Sequence, residues 1–173
     1  MKKLISPINE KDILVLRSGD EVLLSGYIYT ARDQAHKRLV EAIKKKAKLP
    51  IDLKGQVIYY CGPTKITKGR VIGSCGPTTS RRMDGFTPCL LAKGLKGMIG
   101  KGGRSKEVKE AIKKNKAVYF LAPAGCGALI SKVVKNAQPI AYADLGPEKI
   151  MKLKVKDFPL IVGIDIKGRS IYG

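Results

Sequence analysis

A chain of 173 residues with 44% hydrophobic content can bury a core of its own and is short for two domains, so one domain spanning 1-173 is expected. No stretch reaches the roughly 18 uncharged apolar residues of a membrane helix. The start Met1-Lys2-Lys3-Leu4-Ile5 is followed at once by Ser6, Pro7, Asn9 and Glu10, so no signal peptide is expected and the chain reads as cytoplasmic.

The formal charge of +20, from 34 Lys plus Arg against 14 Asp plus Glu, would attract any polyanion and raises a nucleic-acid reading. Against it stand few aromatics, 7 Tyr, 3 Phe and no Trp, with no basic-aromatic interleaving of the RNA-stacking kind. The richest basic run, Lys44-Lys45-Lys46-Ala47-Lys48, ends an expected helix, where cations complement the dipole and form a solvated face. A Lys-heavy surface of this kind also suits a thermophile. Cys61, Cys75, Cys89 and Cys126 include no C-x-x-C pair, so no metal or cluster site of this chain's own is expected, and in a cytosolic chain they read as small buried or half-buried side chains.

Short β-branched runs alternate with helical periodicity, which is the pattern of an α/β domain. Val22 to Tyr29 reads as a strand, and Asp33 to about Lys46 as a helix with Ala35, Leu39, Val40 and Ile43 on one face. Gln56 to Tyr60 is the next strand, ending in Cys61-Gly62-Pro63-Thr64; Val71-Ile72-Gly73 then runs into Cys75-Gly76-Pro77-Thr78, the same turn signal again. A helix is expected from Arg82 to about Lys93, a strand over Met98 and Ile99, and a glycine loop at Gly100-Lys101-Gly102-Gly103. Ser105 reads as the N-cap of a helix through Lys114, with Glu107 in its first turn. The remainder reads as a strand over Val118 to Leu121, a helix from Ala124-Gly125-Cys126-Gly127 through Val134, a strand at Ile140 to Tyr142, a short helix after Pro147, and a hairpin from Ile161 to Tyr172.

Three segments at expected strand ends hold candidate chemistry, where α/β folds place their ligands. Gly76-Pro77-Thr78-Thr79-Ser80-Arg81-Arg82-Met83-Asp84 offers hydroxyls and amides at a helix start with Arg82 beside them, which is an anion seat. The plainer reading is that Thr79 or Ser80 caps the helix and Arg82 pairs with a nearby acid; the residues alone leave both open. Thr30-Ala31-Arg32-Asp33-Gln34-Ala35-His36 repeats the arrangement, so Arg32 would be a second grip on a dicarboxylate, with Asp33 as a helix cap and His36 as an ordinary packed or exposed residue. Lys101 projects from a loop whose glycines let a ligand approach closely. The spacing is not that of a P-loop, and a single His supports no nucleophile-His-Asp order.

Taken together, Thr30-Ala31-Arg32-Asp33-Gln34-Ala35-His36-Lys37-Arg38, Tyr60-Cys61-Gly62-Pro63-Thr64, the Gly76 to Asp84 segment, Gly100-Lys101-Gly102, Ala124-Gly125-Cys126-Gly127-Ala128-Leu129 and Asp144-Leu145-Gly146-Pro147-Glu148 strongly resemble the beta subunit, or C-terminal domain, of class I fumarases and L(+)-tartrate dehydratases. The resemblance covers nearly the whole chain. It implies a single swivelling β/β/α-type domain, without a metal of its own, docked on an alpha subunit that holds a 4Fe-4S cluster through three cysteines. It further implies a hydro-lyase active as a dimer of alpha-beta heterodimers on a dicarboxylate, fumarate and L-malate first and L-tartrate second; the net charge, not the resemblance, supplies the alternative from another class, a basic nucleic-acid-binding module. Arg32 and Arg82 would then hold substrate carboxylates, Thr78 would sit at the reacting carbon as base or relay, and Lys101 would contact the substrate or stabilise developing negative charge.

Overall fold

The computed structural model describes residues 1–173. Two long strands organise it, β2 (Glu21–Thr30) and β7 (Ile150–Ile164), which pair antiparallel from Glu21↔Ile161 to Tyr29↔Lys152. The first half of β7 has the period of a half-buried strand, with Leu153 and Val155 buried and Lys154 and Lys156 exposed. Beside β2 lie β1 (Lys2–Ser6) and then β3 (Val57–Tyr59), β4 (Gly97–Gly100) and β5 (Val118–Leu121), each parallel to its neighbour. β5 meets β7 antiparallel, so β2, β3, β4, β5 and β7 close into a ring, and β6 (Val134–Ala141) lies outside it on β7.

Alternation along the strands serves two cores. Val57, Tyr59, Ile99, Val118, Phe120, Leu153, Phe158 and Val162 belong to one cluster on the enclosed side. Ile58, Tyr60, Met98 and Tyr119 point the other way, against α2 (Asp33–Lys44), α3 (Thr87–Ala92) and α4 (Lys106–Asn115), whose Leu39, Leu90, Leu91, Val108 and Ile112 cover that face. Two shorter helices, α1 (Glu10–Leu14) and α5 (Gly127–Val133), pack Ile13 and Ile130 onto the first cluster. No helix is long and apolar enough to cross a membrane.

Most of the expected elements are present, and the differences have local causes. The helix expected from Arg82 to Lys93 is a single 3-10 turn, Ser80–Met83, followed by the separate α3, because Asp84 is held by Arg104 and Ser105 while Pro88 starts the new helix. Val71–Gly73 joins no ladder; it belongs to a loop closed at its base by Thr64 N–H to Ser74 O (3.0 Å) and Ser74 N–H to Thr64 Oγ1 (2.8 Å). The strand expected at Ile140 to Tyr142 begins at Val134, where α5 stops, and Pro139 is tolerated because β6 is an edge strand. Pro147 lies inside a 3-10 segment, Ala143–Glu148, rather than before a helix. In place of a terminal hairpin, β7 begins eleven residues earlier than expected, at Ile150 rather than Ile161, and only an isolated Ile164↔Ser170 bridge follows it. Ser105 caps α4 as expected, accepting from Val108 N–H at 3.3 Å, and Lys44 to Lys48 are solvent-exposed.

Candidate functional site

The parallel strands β2, β3 and β4 end side by side, and the candidate residues all sit on the segments that leave those ends. Ala31 N–H donates to Tyr59 O (3.1 Å), which fixes the exit of β2 and makes Arg32 the N-cap residue of α2. Tyr60 N–H donates to Ile99 O (2.8 Å), and Thr78 N–H donates to Tyr60 O (2.7 Å), so Thr78 is pinned where β3 ends. Ser80 N–H donates to Lys101 O (3.0 Å) beside a Thr79↔Lys101 bridge, which lays the Thr78 to Arg82 segment along the end of β4.

Arg32 and Arg82 are brought together by one carboxylate. Arg82 Nε and Nη2 donate to Asp33 Oδ1 and Oδ2, each at 3.0 Å, a bidentate pair. Arg32 Nε is 3.8 Å from Asp33 Oδ2 and 3.7 Å from Glu148 Oε1, yet it is buried without a hydrogen-bond partner. Its side chain lies over Gly62, where a Cβ would stand 3.0 Å from Nη1 and 3.1 Å from Cδ, so the glycine makes room for the guanidinium. Lys101 forms no ion pair and is half-buried, as is Thr78. The rim therefore carries three cations against Asp33 and Glu148, with an unsatisfied guanidinium N–H among them, and it is suited to a small anion with more than one carboxylate.

The expected helix N-terminus at Thr79 and Ser80 contributes less than its sequence implies. A 3-10 turn of four residues has little dipole, and neither residue makes a capping bond, so what this segment offers an anion is its side chains rather than a helix end. The plainer alternative holds in part, since Arg82 does pair with an acid. Asp33 makes no side-chain cap bond either; its role is the Arg82 contact. His36 is buried in α2, with Nδ1 donating to Arg32 O at 2.8 Å and its ring against Tyr60 and Phe86, and burial holds its pKa down at about 4. It is a packed neutral residue that braces Arg32.

The rim is supported by a buried network absent from the sequence reading. Arg104, fully buried, donates from Nε to Asp84 Oδ1 (2.6 Å) and from Nη2 to Thr87 Oγ1 (2.7 Å) while its guanidinium lies against the Tyr60 and Tyr119 rings. The Tyr119 hydroxyl is 2.8 Å from both Ser80 Oγ and Gly102 O; its one proton goes to the carbonyl, which can only accept, and Ser80 completes the pair. Gly100 sits directly beneath, where a Cβ would collide with Ser80 Oγ. Farther out, Arg38 pairs bidentately with Asp144 and so fastens α2 to the segment carrying Glu148. The one available signal was chemical: Arg104 follows a glycine loop, and an arginine so near a core needs an acid.

The cysteines do not form a cluster site. Cys61 and Cys75 are buried with Sγ atoms 3.2 Å apart, Cys89 lies on α3 and Cys126 immediately precedes α5, so no three converge, and no group of three or more His, Cys, Asp or Glu side chains is placed to hold a metal.

The α/β ring thus gathers a cationic rim at the ends of three parallel strands. The model of the Fumarase C-terminus family matches residues 2–173, and the chain belongs to that family. The chain is 40% identical over 178 residues to the putative L(+)-tartrate dehydratase subunit beta of Methanocaldococcus jannaschii, covering 99% of this chain and 91% of that protein. It is 37% identical over 177 residues to the L(+)-tartrate dehydratase subunit beta of Escherichia coli, covering 99% and 87%. A putative class I fumarate hydratase of Geobacillus stearothermophilus is 33% identical over 172 residues, which span 96% of this chain and 32% of that longer protein.

Proposed function

We propose that the chain is the beta subunit of a class I fumarate hydratase, catalysing the reversible hydration of fumarate to L-malate together with an alpha subunit. The carrying observation is the pair Arg32 and Arg82, drawn to one carboxylate on the rim that also bears Thr78 and Lys101. In this reading Arg82 and Arg32 hold the substrate carboxylates. Removing the proton at C3 shifts charge onto the adjacent carboxylate, and the cations there stabilise it. Lys101, which has no carboxylate partner of its own, supplies positive charge against it, and the Thr78 hydroxyl relays the proton at the reacting carbon, releasing its own as it takes that one. The 4Fe-4S cluster, for which this chain offers no ligand set, belongs to the alpha subunit, where it supplies a Lewis acid.

L(+)-tartrate dehydration to oxaloacetate is the second reading, favoured by the two relatives that match over nearly their full length. The nucleic-acid reading has less support: of the tyrosines only Tyr27 and Tyr172 are exposed, and the Tyr27 ring carries Lys152 Nζ at 4.6 Å from its centroid, which is a thin supply of stacking surface. The same proposal takes residues 1–173 as one swivelling β/β/α domain in a cytoplasmic dimer of alpha-beta heterodimers. Anaerobic co-expression with the alpha subunit and cluster reconstitution, followed by assays on fumarate, L-malate and L-tartrate, tests it. Turnover should need both chains, and Arg82→Ala should lower kcat/KM by roughly 100-fold or more. Failure of the chains to associate, with no turnover, removes the proposal; tartrate turnover alone selects the second reading.

A further inference from the structure

Asp33 has no assigned part in that reaction, yet its carboxylate is the one that lies within 4.0 Å of both arginines. Its carboxylate takes the Nε–Nη2 edge of Arg82 at 3.0 Å on each side and lies 3.8 Å from Arg32 Nε. A guanidinium has five N–H groups and two forked edges. With Nε–H and one Nη2–H committed to Asp33, Arg82 retains the second edge, formed by Nη1 and the other Nη2–H. The Arg82 side chain is 51% exposed whereas that of Asp33 is 24% exposed, so the acid is the anchored member and the arginine the one that solvent and a ligand can reach. The anchor is itself fixed. Asp33 is the first residue of α2, where the helix amides favour its charge, and it adjoins Arg32 in the chain.

We infer that Asp33 is a positioning residue: it grips Arg82 by the Nε–Nη2 edge so that the Nη1–Nη2 edge is presented, in fixed register with Arg32, to a substrate carboxylate. The inference rests on the proposed dicarboxylate chemistry and adds the element that sets the spacing of the two grips. Without it, a long and half-exposed arginine would have to be immobilised at each binding event, at a cost of rotamer freedom that weakens binding by roughly 10-fold. A carboxylate arriving at the site adds to the Asp33 contact and does not replace it.

Asp33→Asn, in the alpha-beta complex, should raise KM for the dicarboxylate that the wild-type complex turns over by roughly 10-fold, with kcat changed much less. In an Arg82→Lys background, where a point charge has no second edge to present, Asp33→Asn should add little. In the full chain labelled with 15N-arginine, Arg82 Nε–H should give a slowly exchanging resonance that persists when the same dicarboxylate is added. Loss of that resonance on addition would show that the substrate displaces Asp33 and would overturn the inference without any variant. So would an unchanged KM in Asp33→Asn. A wild-type complex that turns over no four-carbon dicarboxylate would instead overturn the functional reading, and the inference with it.

Discussion

Arg104 Nε lies 2.6 Å from Asp84 Oδ1, and this buried pair joins the two segments that carry Arg82 and Lys101. Asp84 follows Arg82 by two positions and also accepts Ser105 N–H at 2.7 Å, while Arg104 follows Lys101 by three. Removing one partner leaves a charge without water or counter-ion, so Arg104→Met or Asp84→Asn should each cost about 3–5 kcal/mol. Arg104→Met with Asp84→Leu should recover part of that loss, but not the Ser105 bond. Thermal unfolding of the four proteins checks this; a double variant no more stable than the worse single one would contradict it.

His36 should make the chain acid-sensitive. Burial disfavours the imidazolium, so the folded pKa is about 4, below the ordinary 6.5. Between these values the unfolded chain binds a proton that the folded chain does not. The stability contributed by neutral His36 is therefore complete above about pH 6.5 and falls as pH drops towards 4, by roughly 3 kcal/mol in full. Urea unfolding at pH 7.5 and 4.5 should show this fall in the wild type and a smaller one in His36→Phe. Equal falls would assign the acid sensitivity to other groups.

Gly100→Ala should damage the site more than the fold. The added methyl meets Ser80 Oγ and would stand 2.9 Å from the Tyr60 ring, so the segment of Ser80 has to move. A displacement of that size in a residue set holding Thr78, Arg82 and Lys101 should lower kcat/KM by roughly 100-fold, with a stability loss of about 1–3 kcal/mol. Wild-type kinetics in the variant would mean that the rim tolerates this shift.

Alkylation should separate the cysteines into two classes. Cys61 and Cys75 are buried against one another, which shields both from reagent, and the Cys75 contact together with burial pushes the Cys61 thiol up. Native-state labelling read by mass spectrometry should modify Cys89 and Cys126 first. Comparable labelling of Cys75 would show that the loop from Thr64 to Ser74 opens.

Much of this was legible in the residue order. The Val22 to Tyr29 strand and the helix after Arg32 follow from clean periodicities, and the turns before Thr78 and Lys101 from glycine and proline chemistry. The length of β7 was missed although Lys152, Leu153, Lys154 and Val155 alternate, because Asp157 and Pro159 interrupt the pattern with turn-forming residues. The Asp33–Arg82 pair joins residues 49 positions apart and Arg104–Asp84 joins residues 20 apart; contacts of that range depend on which strand ends become neighbours. Asp33 at a helix start looks like a cap until Arg82 is brought to it.

The pairing of β7 with both β2 and β5 also governs how the molecule is made. During synthesis β1 to β5 emerge with parallel partners already available, but the edges of β2 and β5 stay open until residues 150 to 164 have left the ribosome. Closure is thus a late, long-range step that slows folding, and a chain stopped short of Ile150 would expose two apolar-backed strand edges ready to pair with other chains.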